Sequence, residues 1–265
     1  MLHKLHKIFI SFIVLTMLFT TIEAKSTQNE NPDLAVMKLI KTAMQSRVMI
    51  QWVAKAYLYS RNDIATTKAE KELKGALKKF DVRIEILGNS LNEPKVKNLL
   101  LFIQSNSEDL RELLEEPYSI ENAQEIIDLA EAISEGELSI ANRLKKKLKG
   151  KVPVFKGQRY YVAQVAKYYM AYTSGIKDKN TIKQMNKTIK ELNRLIKIMK
   201  AYPQNTPKMN RLMNQIDKKW KIVHQFYIDI EDSDLPLIVY ETTKRLDKKF
   251  LAYAKALIKS KSQNK

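Results

Sequence analysis

The sequence predicts an all-α protein, eight helices in two tandem antiparallel four-helix bundles, and three observations carry that reading. Six glycines and seven prolines in 265 residues leave few places where regular structure can break. The breaks that exist fall at even intervals. The chain also matches itself when slid by 112 residues, the mark of a duplicated unit.

The first twenty-four residues stand apart from the fold. His3, Lys4, His6 and Lys7 precede an apolar run from Ile8 to Leu15 and then Met17 to Phe19, and Ala24 ends a plausible cleavage site. This is the pattern of a signal peptide, with an apolar core too short for a comfortable membrane span. It predicts export, to the periplasm or an equivalent compartment. An uncleaved anchor is the alternative, and the only membrane attachment expected.

The body divides into residues 25–150 and 151–265. Asn31-Pro32-Asp33 opens a first helix to about Arg61, and Asp63 is placed as the cap of a second, to about Gly88. Pro94 sits in the first turn of a third helix, ending near Glu116, and Ser119 caps a fourth that runs to Gly150. Pro153 bars its continuation. The second set runs from about Val154 to Ser174, Asn180 to Ala201, Pro207 to Ile228 and Leu235 to Lys259, with Thr206 and Ser233 or Asp234 as caps. Each set is long enough to bury a core of its own.

The repeat is detailed. Arg47, Val53, Ala54, Lys55 and Tyr57 fall on Arg159, Val165, Ala166, Lys167 and Tyr169. After one inserted residue, Asn92, Pro94, Lys95 and Leu99 fall on Asn205, Pro207, Lys208 and Leu212. Within each unit's first helix an apolar stripe can be followed by heptads: Val36, Ile40, Ala43, Ile50, Ala54 and Tyr57, and then Val152, Phe155, Val162, Ala166 and Tyr169. Arg47 and Arg159 interrupt it. A guanidinium stays charged, so in a core-facing row it must find an anion. That anion is either an internal carboxylate or an exogenous small oxyanion. Carboxylates aligned in both units are few: Glu116 with Asp229, Glu121 with Asp234, and Glu135 with Asp247. Glu135 is the best internal partner, because an antiparallel fourth helix brings its middle level with the middle of the first.

The runs from Gln45 to Tyr57 and from Gln158 to Tyr169 resemble the signature helix of PilJ/NarX-type sensor domains. That signature reads glycine, arginine, glutamine, arginine, methionine, leucine, a small residue, glutamine, arginine, methionine, alanine, lysine. The second copy keeps Gln158-Arg159 and Ala166-Lys167, and the Asn205-Thr206-Pro207 turn is similar too. Departures occur at the signature glycine, here Met44 and Lys156, and at its first arginine, here Gln45 and Gly157. The resemblance implies periplasmic four-helix sensor modules, some of which bind nitrate or nitrite through the signature arginine. It makes Arg47 and Arg159, with Gln51, Lys55, Gln158 and Lys167 on the same signature stretch, the candidate anion ligands. It also implies a partner, the periplasmic face of a histidine kinase or chemoreceptor, since these 265 residues hold no kinase or methyl-accepting region.

The remaining chemistry points away from catalysis. Beyond the leader there is one histidine, His224, and the chain has no cysteine, so zinc-type sites lack ligands and no metal or cofactor is expected. The cluster Asp229, Glu231, Asp232 and Asp234 lacks the spacing of a calcium loop and reads as a capping turn. Trp52, Trp220 and the tyrosines read as core. The chain without its leader is strongly basic, with lysines spread over every segment, which attracts anions in general; nucleic acid has the charge but no motif. Two functions follow: small-anion sensing relayed to a partner, or a basic helical scaffold of the cell envelope without a small ligand.

Overall fold

A computed structural model describes residues 32–148, 157–232 and 235–263. The described residues are all-helical: α1 Pro32–Arg61, α2 Thr66–Ser90, α3 Pro94–Glu115, α4 Ile120–Lys146, α5 Gln158–Thr173, α6 Lys179–Lys200, α7 Pro207–Ile228 and α8 Pro236–Gln263. The leader, the predicted boundary at 150–153, Val152, Phe155 and the caps Ser233 and Asp234 lie outside the described residues.

Local chemistry accounts for most helix ends. Pro94 and Pro207 occupy first turns, where a missing N–H costs nothing. Ser119 and Thr206 accept from the N–H groups of Asn122 and Met209 at 3.0 and 3.3 Å. Asp178, unforeseen, caps α6 through Thr181 N at 2.8 Å. Asp63 does not cap α2. It takes a left-handed conformation, φ 59°, while Ile64 N–H reaches back to the Tyr59 carbonyl at 3.0 Å and closes α1. The equivalent corner of the second unit repeats this with Gly175, φ 107°, and a bond from Ile176 to Ala171. The residue at 63 is therefore spent on ending one helix, and α2 starts three residues later.

In each set the first helix is central: α1 packs on α2 and α4 while α3 packs on α4, and α5 packs on α6 and α8 while α7 packs on α8. The outer pairs α2–α3 and α6–α7 touch only lightly. The two sets lie side by side, because α1 also packs on α5. These helices run parallel, with Arg47 beside Tyr160 at one level and Tyr59 near Tyr169 at another. Consequently every residue of α1 from 46 to 60 is buried. The heptad stripe foresees one buried face, but the other unit covers the rest of the helix.

Burial refines the repeat. Ile126, Ile133, Ile140 and Leu144 of α4 correspond to Val239, Leu246, Tyr253 and Leu257 of α8, all buried, at a spacing of 113. In this register Asp247 corresponds to Ser134, not to Glu135. Glu137 corresponds to the core residue Phe250.

Candidate functional site

Both arginines preserved in the repeat have carboxylates. Arg47 donates through Nε to Ser134 Oγ and through Nη2 to Glu135 Oε1, each at 3.0 Å, and its guanidinium lies 3.7 Å from the centre of the Tyr160 ring of the other unit. Arg159 makes a two-pronged pair with Asp247, 2.6 and 2.8 Å. Each arginine thus binds the last helix of its own unit. The two sites differ in solvation: the Glu135 side chain is 62 % exposed and that of Asp247 13 %.

Lys55 and Lys167, equivalent in the repeat, are both fully buried. Lys55 Nζ pairs with Glu72 at 3.0 Å and lies 3.7 Å from the Trp52 ring and 4.6 Å from that of Tyr240. Tyr240, on α8, also donates to Glu72 at 2.8 Å. Burial lowers the Lys55 ammonium to about 8, with Glu72 opposing the shift. Lys167 Nζ meets Glu131 of α4 at 2.5 Å, and Gln164, Tyr160 and Tyr168 donate to the same carboxylate. Burial pushes Glu131 up, but Lys167 and these hydrogen bonds outweigh it and hold the group at about 2. Lys167 is therefore tied across the units by its counter-ion, whereas Lys55 is paired within its own unit and meets the other through the Tyr240 ring.

The glutamines are only partly satisfied. Gln51 is buried and donates to the Ala130 carbonyl at 3.4 Å, while its Oε1 and that of buried Gln158 form no hydrogen bond. Glu137 is fully buried beside Ser46, yet neither side chain forms a hydrogen bond of normal geometry. Burial raises its carboxyl well above the usual range, against the pull of Ser46, Arg47 and Arg83. The structure brings Arg47 and Gln51 to the α1–α4 contact and Arg159 to α5–α8, and it does not gather the six candidate residues around one opening.

Charge separates the units where packing does not. Residues 25–150 carry 20 basic and 19 acidic side chains, a formal +1, and residues 151–265 carry 25 and 9, a formal +16. The lysines are spread out, as foreseen, but the acids are not. The contrast is sharpest in the outer hairpins: α2–α3, residues 66–115, holds 9 of each sign, whereas α6–α7, residues 179–228, holds 12 basic and 2 acidic residues. Counting both signs along the repeat, not lysines alone, reveals this feature.

Comparison of the chain with protein-family models, curated proteins and solved structures finds no match in any of the three. Among the described residues no group of three or more His, Cys, Asp or Glu side chains is placed to hold a metal ion. None of the described helices is long and apolar enough to cross a membrane.

Proposed function

We propose that this chain is an exported, non-enzymatic interaction module of the cell envelope that docks an anionic partner through the outer face of its second unit. The observation that carries this is the charge contrast between duplicated hairpins, 12 basic against 2 acidic residues in α6–α7 and balance in α2–α3. A shared fold constrains both hairpins alike, so a difference of this size reflects something other than folding. A field of one sign steers an oppositely charged partner and orients it.

The repeat supplies the test. Arg194→Val, Lys197→Glu, Arg211→Asn, Lys218→Ser and Lys221→Glu together install the first unit's residues at equivalent positions. At about 150 mM salt, where diffuse surface charge is largely screened, the native chain should bind polyglutamate, polyphosphate or anionic vesicles at least tenfold more tightly than this variant. Equal binding by the two, or no binding of any anionic probe, overturns the reading.

A second reading, sensing of a small oxyanion at Arg47 or Arg159 with relay to a kinase or chemoreceptor, draws support from the exposure of Glu135. A half-solvated carboxylate is the easier one for an incoming anion to displace. It would have to be displaced first, and Asp247 likewise. For this reason the interaction reading fits the geometry better.

A further inference from the structure

One row of side chains on α6 deepens the interaction reading and rests on it. Lys183, Lys187, Lys190, Arg194 and Lys197 recur at intervals of four, three, four and three residues, which sets them along one side of the helix. All five are exposed, on the side opposite the buried Met185, Leu192, Ile196 and Met199. The row runs for about 21 Å at the helical rise of 1.5 Å per residue. Among the described residues only Arg194 has an ion pair, with Glu191 at 2.9 Å. The equivalent positions of α2 are Lys71, Gly75, Lys78, Val82 and Glu85, so the scaffold does not require the row.

Beside it lies a shallow hollow lined by Asn186, Ile189, Lys190, Glu191, Asn193, Arg194 and Lys197. Residues of α7 hold Asn193 in place: Trp220 Nε1 donates to Asn193 Oδ1 at 2.6 Å, and the Asn193 amide lies 3.4 Å from His224 Nε2. At the equivalents of Asn193 and His224 the first unit has Asp81 paired with Arg111. The second unit thus carries a neutral pair where its sister has an ion pair. Asn193 adds no carboxylate here, and the one that lines the hollow is Glu191, the partner of Arg194.

We propose that this row and hollow bind a linear polyanion whose charges are phosphoryl groups, such as polyphosphate or a single-stranded nucleic acid. Cations in single file, roughly 5–6 Å apart between neighbouring turns, match a chain of closely spaced anions. Lysine is a compact point charge suited to phosphate oxygens, and the hollow adds fixed amide groups beside the charges. The five side chains of the row are all cationic, and the large apolar residues beside it are buried Ile189 and partly exposed Ile198, fewer than form the centre of a protein interface or anchor a helix in a bilayer.

The test uses the full chain and labelled polyphosphate, oligothymidylate, polyglutamate and phosphatidylglycerol vesicles at about 150 mM salt. Lys190→Glu/Arg194→Glu/Lys197→Glu is compared with Arg245→Glu/Lys248→Glu/Lys255→Glu on α8, an equal change in charge, with thermal melts confirming that both fold. Polyphosphate or oligothymidylate should bind the native chain, whichever is tighter naming the source, and the α6 variant should lose at least tenfold more affinity than the α8 control. Equal losses would show diffuse attraction and overturn the site. Preference for polyglutamate would overturn the phosphoryl chemistry, and preference for phosphatidylglycerol vesicles would overturn the linear chain; either leaves partner docking standing. Failure of every anionic probe removes both.

Discussion

The ammonium of Lys167 and the carboxylate of Glu131 meet at 2.5 Å across the contact between the two units, and three further side chains of α5 donate to the same carboxylate. The pair joins α4 of one set to α5 of the other. The two units are therefore expected to unfold together, and breaking the pair should reach both. Removing one partner of a buried pair typically costs 3–5 kcal/mol, because the other charge is left without compensation. Lys167→Met and Glu131→Gln should each lower stability in chemical denaturation by about that amount. The double variant should cost less than the sum.

Acid tests the same pair. The Glu131 carboxyl is held at about 2 in the folded chain and returns to 4.5 when unfolded. The unfolded state takes up the proton first as pH falls, so the stabilisation is present above pH 4.5 and is lost between pH 4.5 and 2. Its size is up to about 3 kcal/mol, less some solvent screening. Denaturation followed over this range should show that loss in the native chain and a shallower one in Glu131→Gln.

Lys55 gives a dependence of the same sign in alkali. Its folded value, about 8, lies below the ordinary 10.5, so between these values the unfolded chain holds a proton that the folded chain has released. Stability should rise with pH across that window. Above pH 10 the buried tyrosines, such as Tyr59 with its hydroxyl held neutral, act in the other direction, so the rise is best measured from pH 8 to 10. Lys55→Met should reduce it, leaving what Lys167 contributes, since burial lowers that ammonium too.

Glu137 occupies the place of Phe250 in the repeat, a fully buried carboxyl without a hydrogen bond of normal geometry. Burying such a group costs about 1–3 kcal/mol. Glu137→Leu should stabilise the protein at neutral pH by about that amount in urea denaturation. An unchanged or lowered midpoint would mean that the acid has a partner.

Two helical glycines should respond in opposite directions to alanine. A Cβ at Gly136 would meet Ile103 Cγ1 at 2.9 Å, whereas at Gly75 it would meet nothing within 4 Å. Gly75→Ala should gain roughly 0.5–1 kcal/mol from helix propensity. Gly136→Ala should lose about 1–3 kcal/mol, as α3 is forced away from α4. Thermal melts of the two variants distinguish these outcomes.

Much of this architecture is legible in the sequence, for identifiable reasons. Scarce Gly and Pro mark the helix ends, and an antiparallel fourth helix places Glu135 level with Arg47, where it is found. The central position of α1 and α5 is not legible, because a heptad stripe describes one partner and these helices are surrounded. The counter-ions Glu72 and Glu131 escape notice because the repeat does not preserve them: their equivalents are Gln184 and Lys244. Asp247 aligns with Ser134, one residue short of Glu135, because of the residue inserted between α6 and α7. The basic face of the second unit is written in where acids are missing, and a census of lysines passes over it.

The choice between an interaction module and an oxyanion sensor rests on whether Arg47 and Arg159 are already satisfied by Glu135 and Asp247. Thermal melting of the native chain, Arg47→Ala and Arg159→Ala, with nitrate, nitrite, phosphate, sulfate and polyphosphate, tests this directly. A ligand that binds only the folded state raises its melting temperature. If the interaction reading holds, small oxyanions leave the native melting temperature where it is, polyphosphate raises it, and both arginine variants retain that rise. A nitrate-specific rise that disappears in Arg47→Ala or Arg159→Ala would contradict it.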